Sequence, residues 1–369
     1  MKIKVKQYSR YSMSEGEIFR AEKDKEKKTE IVKKYVENWS KYTVEVDGKI
    51  DQILKNDFTY QGRKDLEWLK MDMRFCRFAY GFQPDEYLVF RLEKKDMHER
   101  QSYISDRQRY IYVYSMNDII DVNIYLDKYK TYKKFKKYYK REAIEIKKPS
   151  DFEKFQEFVK KYPTFVKKRV ELSRGASVSL ENIGSCGLTV HEYFNNLIAE
   201  GTLILEEKVQ QNQEMSALNP SSVNTVRCIT FNTREGIVIP YTFLKTGQNG
   251  SFVDNGGAGG ILIGIDSNKG CLSTDGIDEF NVKYEKHPDT KIKFQGYQLP
   301  DWQQLIEICS SAASQTPSVR YIGWDMAYTK DGWIIIEGNG LGQFIGPQIV
   351  LEKGIKEEVE KVMKHIEML

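Results

Sequence analysis

Three oxygen-bearing side chains near the C-terminal end have the types and spacing to do chemistry. They are Asp325, Glu337 and Asn339, in the stretch Tyr321 to Gly342 that reads YIGWDMAYTKDGWIIIEGNGLG. Carboxylate and amide oxygens are hard donors. They suit Mg²⁺, which takes one or two carboxylates and completes its shell with waters and substrate phosphates. The elements that must position them are two short apolar runs flanking Thr329-Lys330-Asp331-Gly332, and Asp-Gly between such runs predicts a hairpin. Glu337 and Asn339 lie two residues apart on the second run, so along a strand they share a face. A hairpin folded at Asp331-Gly332 brings Asp325 roughly opposite that pair. Taken alone, such a set also fits a solvated strand end or a turn cap. Glu337, however, follows the buried-strand pattern Trp333 to Ile336, and a carboxylate there needs a partner.

The chain has 369 residues, 40% apolar and 30% charged, which predicts a folded protein of two or three lobes rather than a disordered or fibrous one. The longest apolar runs are a handful of residues, so no transmembrane helix is expected. The N-terminal MKIKVKQYSRYSMSEGE lacks the apolar core of a secretory signal. Cys76, Cys186, Cys228, Cys271 and Cys309 show no paired spacing. That fits a reducing cytoplasm and argues against a disulfide framework, a zinc site or a Cys–His nucleophile. A net charge of +4 does not by itself indicate nucleic acid.

Along the chain, residues 1 to about 75 carry apolar residues at helical spacing, such as Ile31-Val32-Tyr35-Val36, and predict amphipathic helices packed on later lobes. Lys128 to Lys148 has ten Lys or Arg against two Glu. With its tyrosines it could face single-stranded nucleic acid. The reading preferred here is a solvated basic helix with one or two lysines turned inward. Pro149 to Asp151 starts the next helix, with Phe152, Phe155 and Phe158 on one face. Thr164 to Val170 predicts a strand carrying Lys167 and Lys168 that runs into the small-residue loop Ser173-Arg174-Gly175-Ala176-Ser177. Such a strand and loop can grip phosphate, the lysine by charge and glycine by letting backbone N–H groups approach. Thr202 to Val209 reads as a buried strand ending in Glu206-Glu207-Lys208, with Glu214 beyond. Ser222 to Phe231 and Ile237 to Lys245 form a second hairpin. If Val226 and Cys228 pack inward, Arg227 faces the other side. Phe252 to Gly260, which contains Asp254, Asn255 and a run of glycines, reads as a functional loop.

Taken in order, these motifs resemble the ATP-grasp fold, an α+β fold in which two lobes clasp Mg-ATP. They are more closely similar to the sugar-transfer-associated ATP-grasp family found with polysaccharide genes, including teichuronopeptide-type proteins. The matching stretches are Phe78 to Leu92 with Glu99-Arg100 and Ser102 to Arg107, then SSVNTVRCITF, FVDNGGAGG and GWDMAYTKDGWIIIEGN. The resemblance runs from about Phe78 to Gln348. It implies an N-terminal helical extension over 1–110, a small lobe over 111–209 and a large lobe over 210–369.

The resemblance further implies ATP and Mg²⁺ as cofactors. Lys128 and Lys167 would neutralise phosphates together with the Gly175 loop, with Lys168 the alternative to Lys167 because neighbouring strand residues face opposite ways. The strand end at Glu206 would meet the nucleotide, with Glu207, Lys208 and Val209 as the hinge against adenine and Glu214 on the ribose. Asp325, Glu337 and Asn339 would hold the metal. Arg227 would stabilise transition-state charge, and substrate would bind where Asp254 and Asn255 meet it. Arginine is usual in the family where Lys245 stands, and lysine offers a point charge instead of a bidentate fork. The activity implied is ligation of a carboxylate to an amine through an acyl phosphate. The substrates would be an amino acid and a sugar or uronic acid derivative, in a cytoplasmic protein that works beside polysaccharide-biosynthesis enzymes. Two rivals are a non-catalytic nucleotide-binding partner of glycosyltransferases and a nucleic-acid binder using Lys128 to Lys148.

Overall fold

The computed structural model describes residues 12–170, 178–185, 187–254 and 259–366. The chain divides into two compact units: Met1–Met116 with Phe280–Val282 and Gln343–Leu369, and Asn117–Glu279 with Lys283–Gly342.

The first unit is helical: α1 (Glu15–Lys23), α2 (Lys25–Asn38), α3 (Ser40–Asn56), α4 (Leu66–Ala79), α5 (Pro84–Val89), α6 (Met97–Ser102) and α7 (Asp106–Met116). Local sequence sets the helix starts. Ser14 and Glu17 form a reciprocal capping box on α1, and the Asp24 carboxylate accepts the first free N–H groups of α2. The apolar face of α4 buries Leu69, Met73, Phe75, Cys76 and Phe78. Asp72 is buried on the same helix and fully paired. It accepts from Lys28 Nζ at 2.9 Å, Arg100 Nη2 at 2.7 Å and the Tyr87 hydroxyl at 2.8 Å. A charge so placed is tolerated only because each oxygen is answered.

Glu86, at the start of α5, is buried, and among the described residues no cation pairs with it. Its Oε2 accepts the backbone N–H groups of Gln83 at 2.8 Å and Asp106 at 3.1 Å. Burial pushes its carboxyl up to about 8 from an ordinary 4.5. The group thus contributes stability that is full below about 4.5 and is lost as pH rises to about 8. Glu86→Gln keeps an acceptor and does not ionise. The gap between its urea midpoint and that of the wild type should widen steadily across that pH window. A constant gap would contradict the assignment.

The second unit holds two antiparallel sheets. Its elements are α8 (Lys128–Tyr139), β1 (Ala143–Ile146), α9 (Phe152–Lys161), β2 (Thr164–Arg169), β3 (Val178–Asn182), α10 (Val190–Ala199), β4 (Leu203–Glu207), α11 (Gln213–Leu218), β5 (Thr225–Thr233), β6 (Gly236–Thr246), β7 (Ile261–Asp266), β8 (Cys271–Ile277), β9 (Lys283–Tyr284), α12 (Trp302–Ala313), β10 (Tyr321–Thr329) and β11 (Gly332–Asn339). The small sheet runs β1-β4-β2-β3 and the large one β11-β10-β5-β6-β7-β8-β9. Helices α9 and α10 cover the small sheet through Phe155, Phe158, Phe194 and Leu197, against Phe165, Leu203 and Leu205. Burying side chains of that size contributes about 1.5–3 kcal/mol each. The large sheet turns Val226, Cys228, Trp324 and Ile335 into a core shared with Leu305 and Cys309 of α12 and Phe135 of α8.

The basic segment differs from its expected form. Its helix stops at Tyr139, Lys140 takes a left-handed φ of 45°, and Ala143–Ile146 becomes β1. Two C-terminal helices, α13 (Ile345–Val350) and α14 (Lys356–Lys364), belong to the first unit. There the Gln348 amide exchanges hydrogen bonds with the backbone of Ile104 at 2.7 and 3.0 Å. Among the described residues, no helix is long and apolar enough to cross a membrane.

Candidate functional site

The β10–β11 hairpin turns at Asp331-Gly332. Gly332 has φ 85°, and a Cβ there would lie 2.4 Å from Gln304 Oε1, so only glycine closes this turn. From the turn the register runs Thr329↔Gly332 to Met326↔Ile335. It slips at a bulge, and Asp325 then stands opposite Glu337 and Gly323 opposite Asn339. Ile336 is the extra residue. Bulges re-aim side chains, and this one sits directly before Glu337.

On its other side β10 pairs with β5, where Asp325 faces Arg227, and β5 pairs with β6, where Thr225 faces Lys245. The side chains therefore form a charged row across four strands. Arg227 grips Asp325 with two bonds, Nε to Oδ1 at 2.7 Å and Nη2 to Oδ2 at 2.9 Å. Lys245 Nζ lies 3.0 Å from Oδ1, and the Asn339 amide donates to Oδ2 at 3.4 Å. Burial would raise the Asp325 carboxyl, but Arg227 and Lys245 outweigh it and hold it at about 2. Gly323 leaves room for this grip, since a Cβ there would lie 3.2 Å from Arg227 Nη1.

Glu337, at the end of the row, is more open. Its side chain is 37% exposed, and its nearest cation is Lys128 Nζ at 3.9 Å. Asp254 borders the row, with its Oδ2 accepting from the backbone N–H and the hydroxyl of Thr225. Burial pushes the Asp254 carboxyl above its ordinary value.

A second cluster gathers on the small sheet. Glu206 is buried and accepts from Lys168 Nζ at 2.9 Å and from Arg141 Nη2 at 2.7 Å. Burial opposes its ionisation, but Arg141 and Lys168 hold its carboxyl at about 2. Arg141 also donates to the β11 carbonyls of Ile335 at 2.7 Å and Ile336 at 3.2 Å, at the bulge before Glu337. Its guanidinium lies 4.7 Å from the Tyr139 ring centre. Arg141 thus ties the two clusters together. Sequence reading missed it because it is one of ten basic residues in its segment. The only local signal is its place between a helix and a strand, where α8 hands the chain to β1.

Lys167 points the opposite way from Lys168, to Glu200 at 2.8 Å and Glu181 at 3.3 Å. The Glu207 carboxylate accepts the N–H of Glu142, the residue before the neighbouring β1, at 3.1 Å. Lys208 and Glu214 are exposed, Val209 is half-buried, and no ion pair joins any of them to the two clusters. Gly175 and Asn255 lie outside the described residues.

The donor set decides how well Mg²⁺ fits here. Among the described residues, no group of three or more His, Cys, Asp or Glu is placed to hold a metal unaided. Two facing carboxylates and an amide nonetheless match an ion that takes few protein oxygens and fills its shell from phosphates and water. Glu337 is open for this. The Asn339 amide donates its N–H to Asp325, so its oxygen is turned to other uses. Arg227, Lys245 and Asn339 already take the roughly four lone-pair directions of Asp325, so it would meet Mg²⁺ only by giving up one of these contacts.

None of the curated proteins compared with the chain matches it. Among solved structures, the ATP-grasp ligase PsnB complexed with a phosphomimetic variant of its minimal precursor, Mg and ADP is 11% identical, with a TM-score of 0.42 over 68% of this chain and 62% of that one. VanG D-Ala:D-Ser ligase from Enterococcus faecalis is 13% identical, with a TM-score of 0.44 over 68% and 64%. D-alanyl-alanine synthetase A from Vibrio cholerae is 10% identical, with a TM-score of 0.40 over 66% and 66%. The chain spans less than two thirds of each of these three chains. The profile described as sugar-transfer associated ATP-grasp matches residues 107–364, most of the chain and both clusters. With its α+β second unit and the helices that precede it, the chain belongs to the sugar-transfer associated ATP-grasp family.

Proposed function

We propose that the chain is an ATP- and Mg²⁺-dependent carboxylate–amine ligase that joins an amino acid to a sugar or uronic acid derivative for a cell-surface polysaccharide. The observation that carries this reading is the row Glu337, Asp325, Arg227 and Lys245 on four adjacent strands of a family member. In the first step a substrate carboxylate oxygen attacks the γ-phosphorus, the bond to the β–γ bridging oxygen breaks, and ADP leaves. The amine nitrogen of the second substrate then attacks the acyl carbon, inorganic phosphate leaves, and the nitrogen gives up a proton.

Both steps need positioning and neutralisation of charge more than covalent help. Arg227 and Lys245 are fixed by Asp325 before substrate arrives, so they meet developing charge without reorganising. Lys168, Arg141 and Lys128 would neutralise phosphates from the side of the small sheet and α8. Asp325, Glu337 and Asn339 would hold Mg²⁺, which when bound shields phosphate charge and orients the transferred group. Glu207, Lys208 and Val209 would meet the adenine, Glu214 the ribose, and Asp254 the substrate beside Arg227. Partner enzymes of polysaccharide synthesis would use the product.

ADP release with a panel of amino acids and nucleotide-linked uronic acids tests the reading. At least one pair should yield ADP. If none does, and ATP fails to raise the melting temperature, the reading is wrong. The opposed faces of the two lysines give a sharper contrast. Lys168→Ala should raise KM for ATP roughly tenfold or more, the loss of one charge-assisted contact. Lys167→Ala, which removes a partly buried ion pair on the opposite face of β2, should change it by less than about twofold. Equal effects would contradict the placement of Lys168.

A further inference from the structure

The proposed ligase chemistry leaves most of α8 unused. Of its lysines, Lys128 faces Glu337, while Lys130, Lys133, Lys134, Lys136 and Lys137 are all exposed. The opposite side of the helix buries Thr131, Tyr132, Phe135, Tyr138 and Tyr139. Of these five, and among the described residues, only Lys130 has a carboxylate in ion-pair reach, Asp127 at 3.5 Å. Lys133 and Lys137 lie against the rings of Tyr129 and Tyr138, at 4.9 and 4.5 Å from their centres. Lys134 and Lys136 have no ion pair among the described residues. An ordinary solvated helix interleaves acids among its lysines at i+3 or i+4 to relieve repulsion. Here no residue between Lys128 and Tyr139 is acidic.

We infer that the exposed face of α8 docks on the surface of a bilayer containing anionic lipid. Charge complementarity carries the choice of an anionic occupant. Four to eight basic residues on one side of an amphipathic helix match the potential of such a surface, at about a tenfold gain in affinity for every one to two residues. Two observations select lipid over nucleic acid. Tyr132, Tyr138 and Tyr139 are turned into the protein, so few rings remain on which bases could stack. Leu126, directly before the helix cap, is 52% exposed and offers an apolar side chain to the interface. The same helix ends at the site: Lys128 lies beside Glu337, and the segment that follows carries Arg141. A chain held at a membrane by α8 would meet acceptors presented there, and the docking claim itself does not need the ligase reading.

Sedimentation of the full chain with vesicles tests the docking, using phosphatidylcholine alone and phosphatidylcholine with 30% phosphatidylglycerol as an order-of-magnitude anionic load. Binding should be confined to the anionic vesicles and should weaken as salt rises from about 50 to 300 mM. The variant Lys130→Gln/Lys133→Gln/Lys134→Gln/Lys137→Gln should lose about a hundredfold or more in affinity. Its melting temperature, and any rise caused by ATP, should match the wild type, which separates lost docking from lost folding. Binding to neither vesicle, equal binding to both, or an unaffected variant would overturn the inference. So would tighter binding to a single-stranded oligonucleotide than to the anionic vesicles at the same salt. Failure of docking alongside ATP-driven turnover would leave the ligase reading standing, and the converse result would remove only that reading.

Discussion

Asp325→Asn should destabilise the second unit by about 3–5 kcal/mol, the usual cost of removing one partner from a buried charged cluster. For a unit of this size that is a fall in melting temperature of roughly 6–20 °C. The loss comes less from Asp325 than from what it leaves behind. Arg227 has both its bonds on this carboxylate, and Lys245 has its closest anion there. The pH dependence has a defined sign. The Asp325 carboxyl is held at about 2, below its ordinary 3.8, so its contribution is full above that ordinary value and lost as pH falls toward 2. Glu206, also held at about 2 by Arg141 and Lys168, loses its contribution in the same direction. Wild-type stability should therefore fall steeply below about pH 4, and Asp325→Asn should fall less. A variant as stable as the wild type at pH 7 would show that the two cations do not depend on this residue.

Glu337→Gln should do the reverse, abolishing turnover while leaving the fold intact. Its side chain is more than a third exposed and its nearest cation is 3.9 Å away, so removing its charge should shift stability by less than about 1 kcal/mol. As a proposed Mg²⁺ ligand it neutralises charge that appears on the transferred phosphoryl. Losing one such group should lower kcat by about 10²–10³-fold and raise the Mg²⁺ concentration needed for half-maximal rate. ADP release measured against Mg²⁺ concentration reads both effects. An unchanged Mg²⁺ requirement would remove Glu337 from the metal site. The two substitutions together separate a residue that organises cations from one that is held open for a ligand.

Much of this site was legible in the sequence, and the reason is local. Asp331-Gly332 fixes the hairpin, and counting from it brings Asp325 opposite Ile336, one residue short of Glu337; the bulge at Ile336, which no local signal announces, completes the Asp325–Glu337 pairing. Arg227 was placed on the outward face by the alternation of Val226 and Cys228 into the core. What needed structure was non-local. Lys167 and Lys168 are indistinguishable until the partner strands show which face meets Arg141. The end of α8 carries no glycine or proline, and Lys140 in a left-handed conformation stops the helix instead. Arg141 acquires its place only because β4 and the β11 bulge both reach it. The C-terminal helices join the first unit through contacts such as Gln348 to Ile104, more than two hundred residues apart in sequence, which no local pattern encodes.

The charged row on β11, β10, β5 and β6 stands or falls as a Mg-nucleotide site. Calorimetric titration of the wild-type chain with ATP, with and without Mg²⁺, tests it most directly. Saturable binding that tightens at least about tenfold when Mg²⁺ is present is the expected result. Absence of ATP binding, or an affinity indifferent to Mg²⁺, would contradict it.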